Sequence, residues 1–230
     1  MSKITEADGA AFSKVVRARH SVRQFRADPV PQELQLRVLE DARWSPSNCN
    51  TQPWSVHVLS GETLKAFSAR MIEAADRDGE TLDFTWSKAA FPATCIERYD
   101  EHGRVRHDAV GLAREDAEGR RRNDRRNLTF FDAPHVALLF QPEIGDNVRV
   151  AGDLGMYAQT FLLSLTAHGL GGIPQTSLGL YADTARDLLG LGTDMKLLFG
   201  IAFGYEDEAS IYNSYRMERA EVSETVVFHV

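Results

Sequence analysis

Residues 149–170, RVAGDLGMYAQTFLLSLTAHGL, constrain this chain more than any other stretch. Apolar side chains recur at helical spacing there on more than one face, and Gly169 offers a C-terminal stop. A helix that is apolar on several sides must be covered on several sides, by its own core or by a second subunit. The remaining elements have to supply that cover.

They alternate. Phe12, Val15 and Val16 fall at helical spacing and predict a short helix that leads into RARHSVRQF, residues 17–25. A second helix is expected from Pro31, which suits a first turn, with Glu33 favouring its N-terminal end and Leu34, Val38, Leu39 and Ala42 as its buried stripe. Ser, Asn and Pro crowd residues 45–53 into a loop, and 54–60 then alternate as a strand that Gly61 ends. An amphipathic helix follows over 62–77. PHVALLF and MKLLFGIAFGY read as buried strands, YADTARDLLG as a short helix, and the last residues, TVVFHV, as a β-like run. Between 78 and 127 the pattern is weak and heavily charged, and a stretch that long inside a compact domain is functional or mobile. With 230 residues there is ample chain for a core, and strands alternating with helices predict a single α/β or α+β domain.

Charge and composition exclude several roles. Thirty-three acids against 26 bases leave a net charge of −7, which opposes non-specific binding to nucleic acid or anionic membrane. No apolar run approaches the roughly 18 residues of a membrane span. The polar opening MSKITEADGA lacks the pattern of a secretory signal, so a cytoplasmic protein is expected. Cys49 and Cys95 make neither a disulfide framework nor a metal motif, and His102 and His107 lack a third ligand. No G-x-S-x-G elbow is present. The run RRRNDRR, residues 120–126, has acids at 115, 116, 118 and 124, which predicts a charge-paired helical face.

Four stretches could carry chemistry. Arg19, Ser21 and Arg23 alternate, and in an extended segment they would point the same way. Two guanidinium forks flanking a hydroxyl suit a phosphate, although a solvated stretch paired to acids has the same pattern. Ser47, Asn48, Asn50 and Gln52 could meet the polar edge of a heterocycle or a polyol, or could cap their own turn. GLGGIPQTS, residues 169–177, permits close backbone approach to a ligand but is neither a dinucleotide fingerprint nor a Walker loop. Arg216 and Arg219 lie three apart and would share a face on a helical turn.

Taken together and in order, RHSVRQF, SPSNCNTQPW, RRNLTFFDAPHVALLF, TFLLSLTAHGLGGIPQTS and YRMERA resemble the FMN-dependent nitroreductase family, from residue 17 to the end of the chain. The long charged stretch and the NLTFFDAP form are most similar to its nitrobenzoate-reductase-like branch. The resemblance implies a mixed sheet wrapped by helices in an intertwined homodimer, with FMN at the interface. The apolar helix would form the dimer core, and the C-terminal run would extend the partner's sheet. Arg19, Ser21 and Arg23 match the phosphate and ribityl grip, which Arg219 completes. Arg216 gains weight because Met217 stands where many members have lysine. Pro46, Ser47, Asn48 and Asn50 match the loop that reaches the flavin from the other subunit. Pro174, Gln175, Thr176 and Ser177 match the segment along the isoalloxazine ring, and Asn127 a ring-contacting asparagine. The stretch at about 78–126 would be an insertion over the flavin.

The chemistry so implied is carried by FMN, with no catalytic side chain. NAD(P)H would donate electrons, leave, and be replaced in the same space by a small nitroaromatic or quinone-type acceptor. Reductive dehalogenation, ene reduction or flavin fragmentation on the same scaffold, and flavin binding without catalysis, are the competing readings.

Overall fold

The computed structural model of the chain describes residues 3–77 and 79–229. Met1, Ser2, Asp78 at the start of the expected insertion and Val230 at the end of the β-like tail lie outside the described residues.

Among the described residues, β1 (Ser55–Ser60), β2 (His135–Pro142), β3 (Gly171–Gln175) and β4 (Met195–Gly204) form one antiparallel sheet in the order β1-β2-β4-β3. Short parallel bridges, Ser21 to Gly172 and Thr81 to Tyr181, give the fold its mixed character. β2 is apolar at nearly every position because it is covered on both faces. Val136, Leu138 and Phe140 point into one core with α3 (Gly61–Asp76) and α7 (Ala182–Leu189). Ala137 and Leu139 point into the other with α2 (Gln32–Ala42) and α6 (Val148–Ala167). The result is a sheet between two helical layers, in the α/β class expected.

α6 is the apolar helix that the sequence singles out. Leu154, Phe161 and Leu165 are buried against the sheet and α2. Gly152, Gly155, Met156 and Gln159 lie on its exposed side, so its own chain covers only part of it. α1 (Glu6–Ala18) begins on a capping box of Thr5 and Asp8 but buries no side chain, and Phe12 stays 60% exposed. No helix among the described residues is long and apolar enough to cross a membrane.

Residues 171–175 of the glycine-rich stretch form β3. One expectation needs correction: Arg216 and Arg219 share no helical turn, because residues 215–220 have no regular structure. A short helix, α8 (Val222–Thr225), leads into the tail, where Val226 is extended and residues 226–229 lie in no strand of this chain.

The weakly patterned stretch contains α4 (Ala93–Ala109) and α5 (Ala117–Arg125). Apolar periodicity is faint there because much of their surface is charged and paired. Arg122 meets Glu118 at 2.6 Å, Arg125 meets Asp76 and Arg106 meets Asp124, both at 2.7 Å. Within the arginine run only Arg122 and Arg125 are paired to carboxylates among the described residues, while Arg120 donates to the Ala113 carbonyl at 3.0 Å, so the charge-paired face expected there is partial.

One buried ion pair ties the start of this stretch to the sheet. Asp83 Oδ2 accepts from Arg186 Nη1 at 2.6 Å and from the Leu197 amide at 2.8 Å. Their side chains are only 5% and 7% exposed. Burial pulls the Arg186 pKa down, but its hydrogen bonds to Asp83 and Asp183 outweigh that and raise it overall. Removing Asp83 leaves Arg186 to Asp183 and the Met195 carbonyl, and leaves the Leu197 amide without its acceptor. Asp83→Ala is therefore expected to cost about 1–3 kcal/mol, read as a lower denaturation midpoint. A loss under about 1 kcal/mol would deny the pair this anchoring role.

Candidate functional site

β3 runs between two cavities. At its start Ser21 bridges to Gly172, and the Val22 amide donates to the Gly172 carbonyl at 3.3 Å. At its end the chain turns into Thr176 and Ser177. From residue 172 to residue 176 the rise is about 13 Å at roughly 3.3 Å per residue.

The first cavity, of about 300 Å³, is basic. Arg19, Ser21 and Arg23 line it from the extended segment, and Arg216 and Arg219 line it from the C-terminal strap. Alternation in the first group and separation by nearly 200 residues in the second thus converge on one place. None of these four arginines lies within 4.0 Å of a carboxylate among the described residues. Three of them lean on backbone carbonyls instead. Arg23 Nη1 donates to Ser21 O at 3.1 Å, Arg216 Nη1 to Asn213 O at 2.8 Å, and Arg219 Nη1 to Met217 O at 2.9 Å. Burial, and then the charge of Arg219, lower the Arg19 pKa. Burial foremost also lowers that of Arg23. A guanidinium keeps its proton regardless. The cluster therefore holds repelling, partly desolvated cations that an anion would relieve.

The sequence reading missed several groups here. Arg98 and His102, both from α4, also line the basic cavity. His102 lies 3.4 Å from Arg23 Nη2, and burial followed by the charges of Arg23 and Arg106 lowers its pKa, which favours the neutral ring. Arg98 is held by Glu224 of α8 at 3.0 Å. The Tyr215 ring lies 5.3 Å from the Arg23 guanidinium, and its buried hydroxyl has no hydrogen-bond partner. Asn213, 6% exposed, accepts the Arg23 amide at 2.7 Å and donates to the carbonyls of Gln24 and Asp207, fixing strap to strand. Arg126 leaves its acidic neighbours, donates to Arg23 O at 2.7 Å and lies 3.7 Å over the Tyr212 ring. His20, without a role in the sequence reading, meets Glu206 at 3.0 Å.

The second cavity, of about 670 Å³, is aromatic and aliphatic. Thr176 and Ser177 form part of its wall, while Leu82, Trp86, Phe91 and Tyr99 come from the charged stretch. Beside it, Asn127 gathers the other ring-side candidates. Gln175 Nε2 donates to Asn127 O at 3.0 Å, and Ser177 Oγ donates to Asn127 Oδ1 at 3.2 Å. Gln175 Oε1 is buried without a partner. Pro174 is exposed. Asn127 is held by the turn that follows it, where Phe130, Phe131 and Asp132 all have φ near +60° (56°, 56° and 64°). Such a run is strained for L-residues. Burial of both phenyl rings, one stacked on Phe67 at 5.8 Å, holds it.

Pro46, Ser47, Asn48 and Asn50 line neither cavity. Their loop is fastened to α6, where buried Asp153 accepts the Asn48 amide at 3.0 Å. Ser47 Oγ accepts the Gln52 amide at 2.9 Å. Cys49, Asn50 and Gln52 have φ of 50°, 57° and 48°.

The arrangement can hold an anion at one end of β3 and a flat apolar group at the other. The comparisons agree with that layout. Nitroreductase NfnB of Mycolicibacterium smegmatis is 40% identical to this chain over 218 residues, covering 95% of this chain and 92% of that protein. The 4-nitrobenzoate reductase of Pseudomonas putida is 33% identical over 225 residues, covering 90% and 91%. The crystal structure of the FMN-dependent nitroreductase NfnB from Mycobacterium smegmatis in complex with NADPH matches with a TM-score of 0.92 at 39% identity, over 96% of this chain and 99% of that one. A family model, that of the nitroreductase family, matches residues 16–205, which span the basic segment at 17–25, the loop, β3 and the whole sheet and end before Arg216 and Arg219. On these grounds the chain belongs to the nitroreductase family.

Proposed function

We propose that the protein is an FMN-dependent oxidoreductase that passes electrons from NAD(P)H to nitroaromatic or quinone-type acceptors. One observation carries the reading. Four arginines without a carboxylate partner lie at one end of β3, and an aromatic-walled cavity lies at the other. That pairing suits a phosphate tethered by a polyol to a flat ring. The names of the similar proteins, nitroreductase and 4-nitrobenzoate reductase, and the NADPH bound in the similar crystal structure, support the same conclusion.

Arg19, Arg23, Arg216 and Arg219 neutralise the phosphate, and Ser21 adds a neutral donor. Asn127, Gln175, Thr176 and Ser177 meet the ring edge, with Pro174 alongside. The orphaned Gln175 Oε1 is free to accept from a ring N–H. FMN, when bound, supplies the electron relay between nicotinamide and acceptor. The chain's task is to hold and orient it, and to shape the space above it. Among the described residues the walls of the larger cavity contain no carboxylate and no histidine, and in this reading no dedicated side chain supplies the acceptor protons.

The working unit in this reading is a cytoplasmic homodimer. The exposed side of α6 and the exposed Phe12 and Val16 of α1 form the contact, and Pro46, Ser47, Asn48 and Asn50 complete the partner's site. The chain is one domain, 1–230, with the insertion at about 78–126 walling the acceptor space.

Arg19→Ala combined with Arg219→Ala is expected to strip flavin from the purified protein, because two charge-assisted contacts at about 1.5–3 kcal/mol each are lost. Full yellow occupancy in the folded double variant would remove the phosphate assignment. Donor and acceptor sharing one space should give parallel double-reciprocal lines when both are varied. Intersecting lines would mean separate sites.

A further inference from the structure

The acceptor cavity has an unusual charge economy. Lys88 is the single charged residue among the described residues that line it. Its ammonium lies 4.8 Å over the Tyr99 ring and is ion-paired with Asp100, the next residue along α4. Around it, Trp86 stands 6.1 Å from Tyr99 and 6.5 Å from Phe91, with the rings tilted. These three rings are 60%, 52% and 48% exposed, so a flat apolar face is presented rather than buried. A planar aromatic molecule can cover it by offset stacking.

An acceptor carboxylate entering this space meets a lysine whose charge is already answered, with the Asp100 carboxylate beside it. To pair with Lys88 it must displace an intramolecular partner tethered close by. If it does not, it loses water without compensation. A neutral nitroaromatic faces neither cost. We propose that the Lys88–Asp100 pair sets the charge preference of the acceptor cavity. Neutral planar nitroaromatics are taken in preference to carboxylated ones, and Asp100 is the positioning residue that withholds Lys88 from an acceptor anion. This rests on the oxidoreductase reading above and goes beyond it, since similar proteins include one named 4-nitrobenzoate reductase.

The test compares nitrobenzene with 4-nitrobenzoate on the FMN-loaded enzyme at saturating NADPH. Wild type is expected to show the higher kcat/KM for nitrobenzene. Asp100→Asn should shift the ratio toward 4-nitrobenzoate by roughly two- to fivefold, mostly through KM, as befits release of a surface ion pair. Asp100→Ala should do the same, and adding Lys88→Met to either should erase the gain. A wild-type preference for 4-nitrobenzoate, or an unchanged ratio in both Asp100 variants, overturns the proposal. If neither acceptor is reduced, the oxidoreductase reading fails instead. The charge preference is then read from dissociation constants, by titrating each compound against flavin absorbance, with the same two- to fivefold shift expected.

Discussion

At Gly171 a Cβ would sit 2.5 Å from Cγ2 of Val22, and at Gly172 one would sit 2.8 Å from Cδ1 of Leu165. Both approaches are closer than any side chain tolerates. The missing Cβ atoms let the basic segment lie flat along β3 from one side while α6 presses on the strand from the other. Everything at the site follows from that fit. Val22 is fully buried, so its neighbours Ser21 and Arg23 are held at fixed height on the sheet edge. The strap can then close over them through Asn213. A bulkier residue at 171 would lift the segment and separate the first pair of arginines from the second.

The basic segment looks out of place in a chain of net charge −7. The fold leaves four arginines with no carboxylate within 4.0 Å among the described residues, although Glu218 lines the same cavity, while pairing others. Arg122, Arg125 and Arg106 each have a carboxylate within 2.7 Å. Arg23, Arg216 and Arg219 have carbonyls, and the Arg19 guanidinium has no hydrogen-bond partner among the described residues. Carbonyl contacts orient a guanidinium without cancelling its charge, so the cavity keeps a local positive field inside an acidic surface. Such a field focuses an anion and does not attract polyanions to the rest of the molecule.

Much of this was legible in the sequence, for identifiable reasons. Strong periodicity marked α2, α3, α6, β2 and β4, because their faces are set by burial. Alternation singled out Arg19, Ser21 and Arg23, and all three line the basic cavity, but His20 between them lines it too. β3 was not legible, because Gly171 and Gly172 carry no side chain that could alternate, and their need is for space rather than for a turn. Arg98 and His102 were not legible because α4 has little apolar stripe to set its phase. Asn213, Tyr215 and Arg126 act across separations of about a hundred residues or more, which local patterns do not encode. The arginine run is paired only at Arg122 and Arg125, while Arg120 meets the Ala113 carbonyl and Arg126 turns inward to the Arg23 carbonyl.

α4 joins the two ends of the site. Cys95, Ile96 and Tyr99 line the apolar cavity, while Arg98 and His102, one turn apart on an adjacent face, line the basic one. One element therefore lines both the basic cavity at one end of β3 and the apolar cavity at the other. Its ion pairs are modest: the exposed pairs of Arg98 with Glu224 and Lys88 with Asp100, and the pair of Arg106 with Asp124. Exposed pairs contribute about 0–1 kcal/mol each. A displacement of α4 would therefore alter the walls of both cavities together.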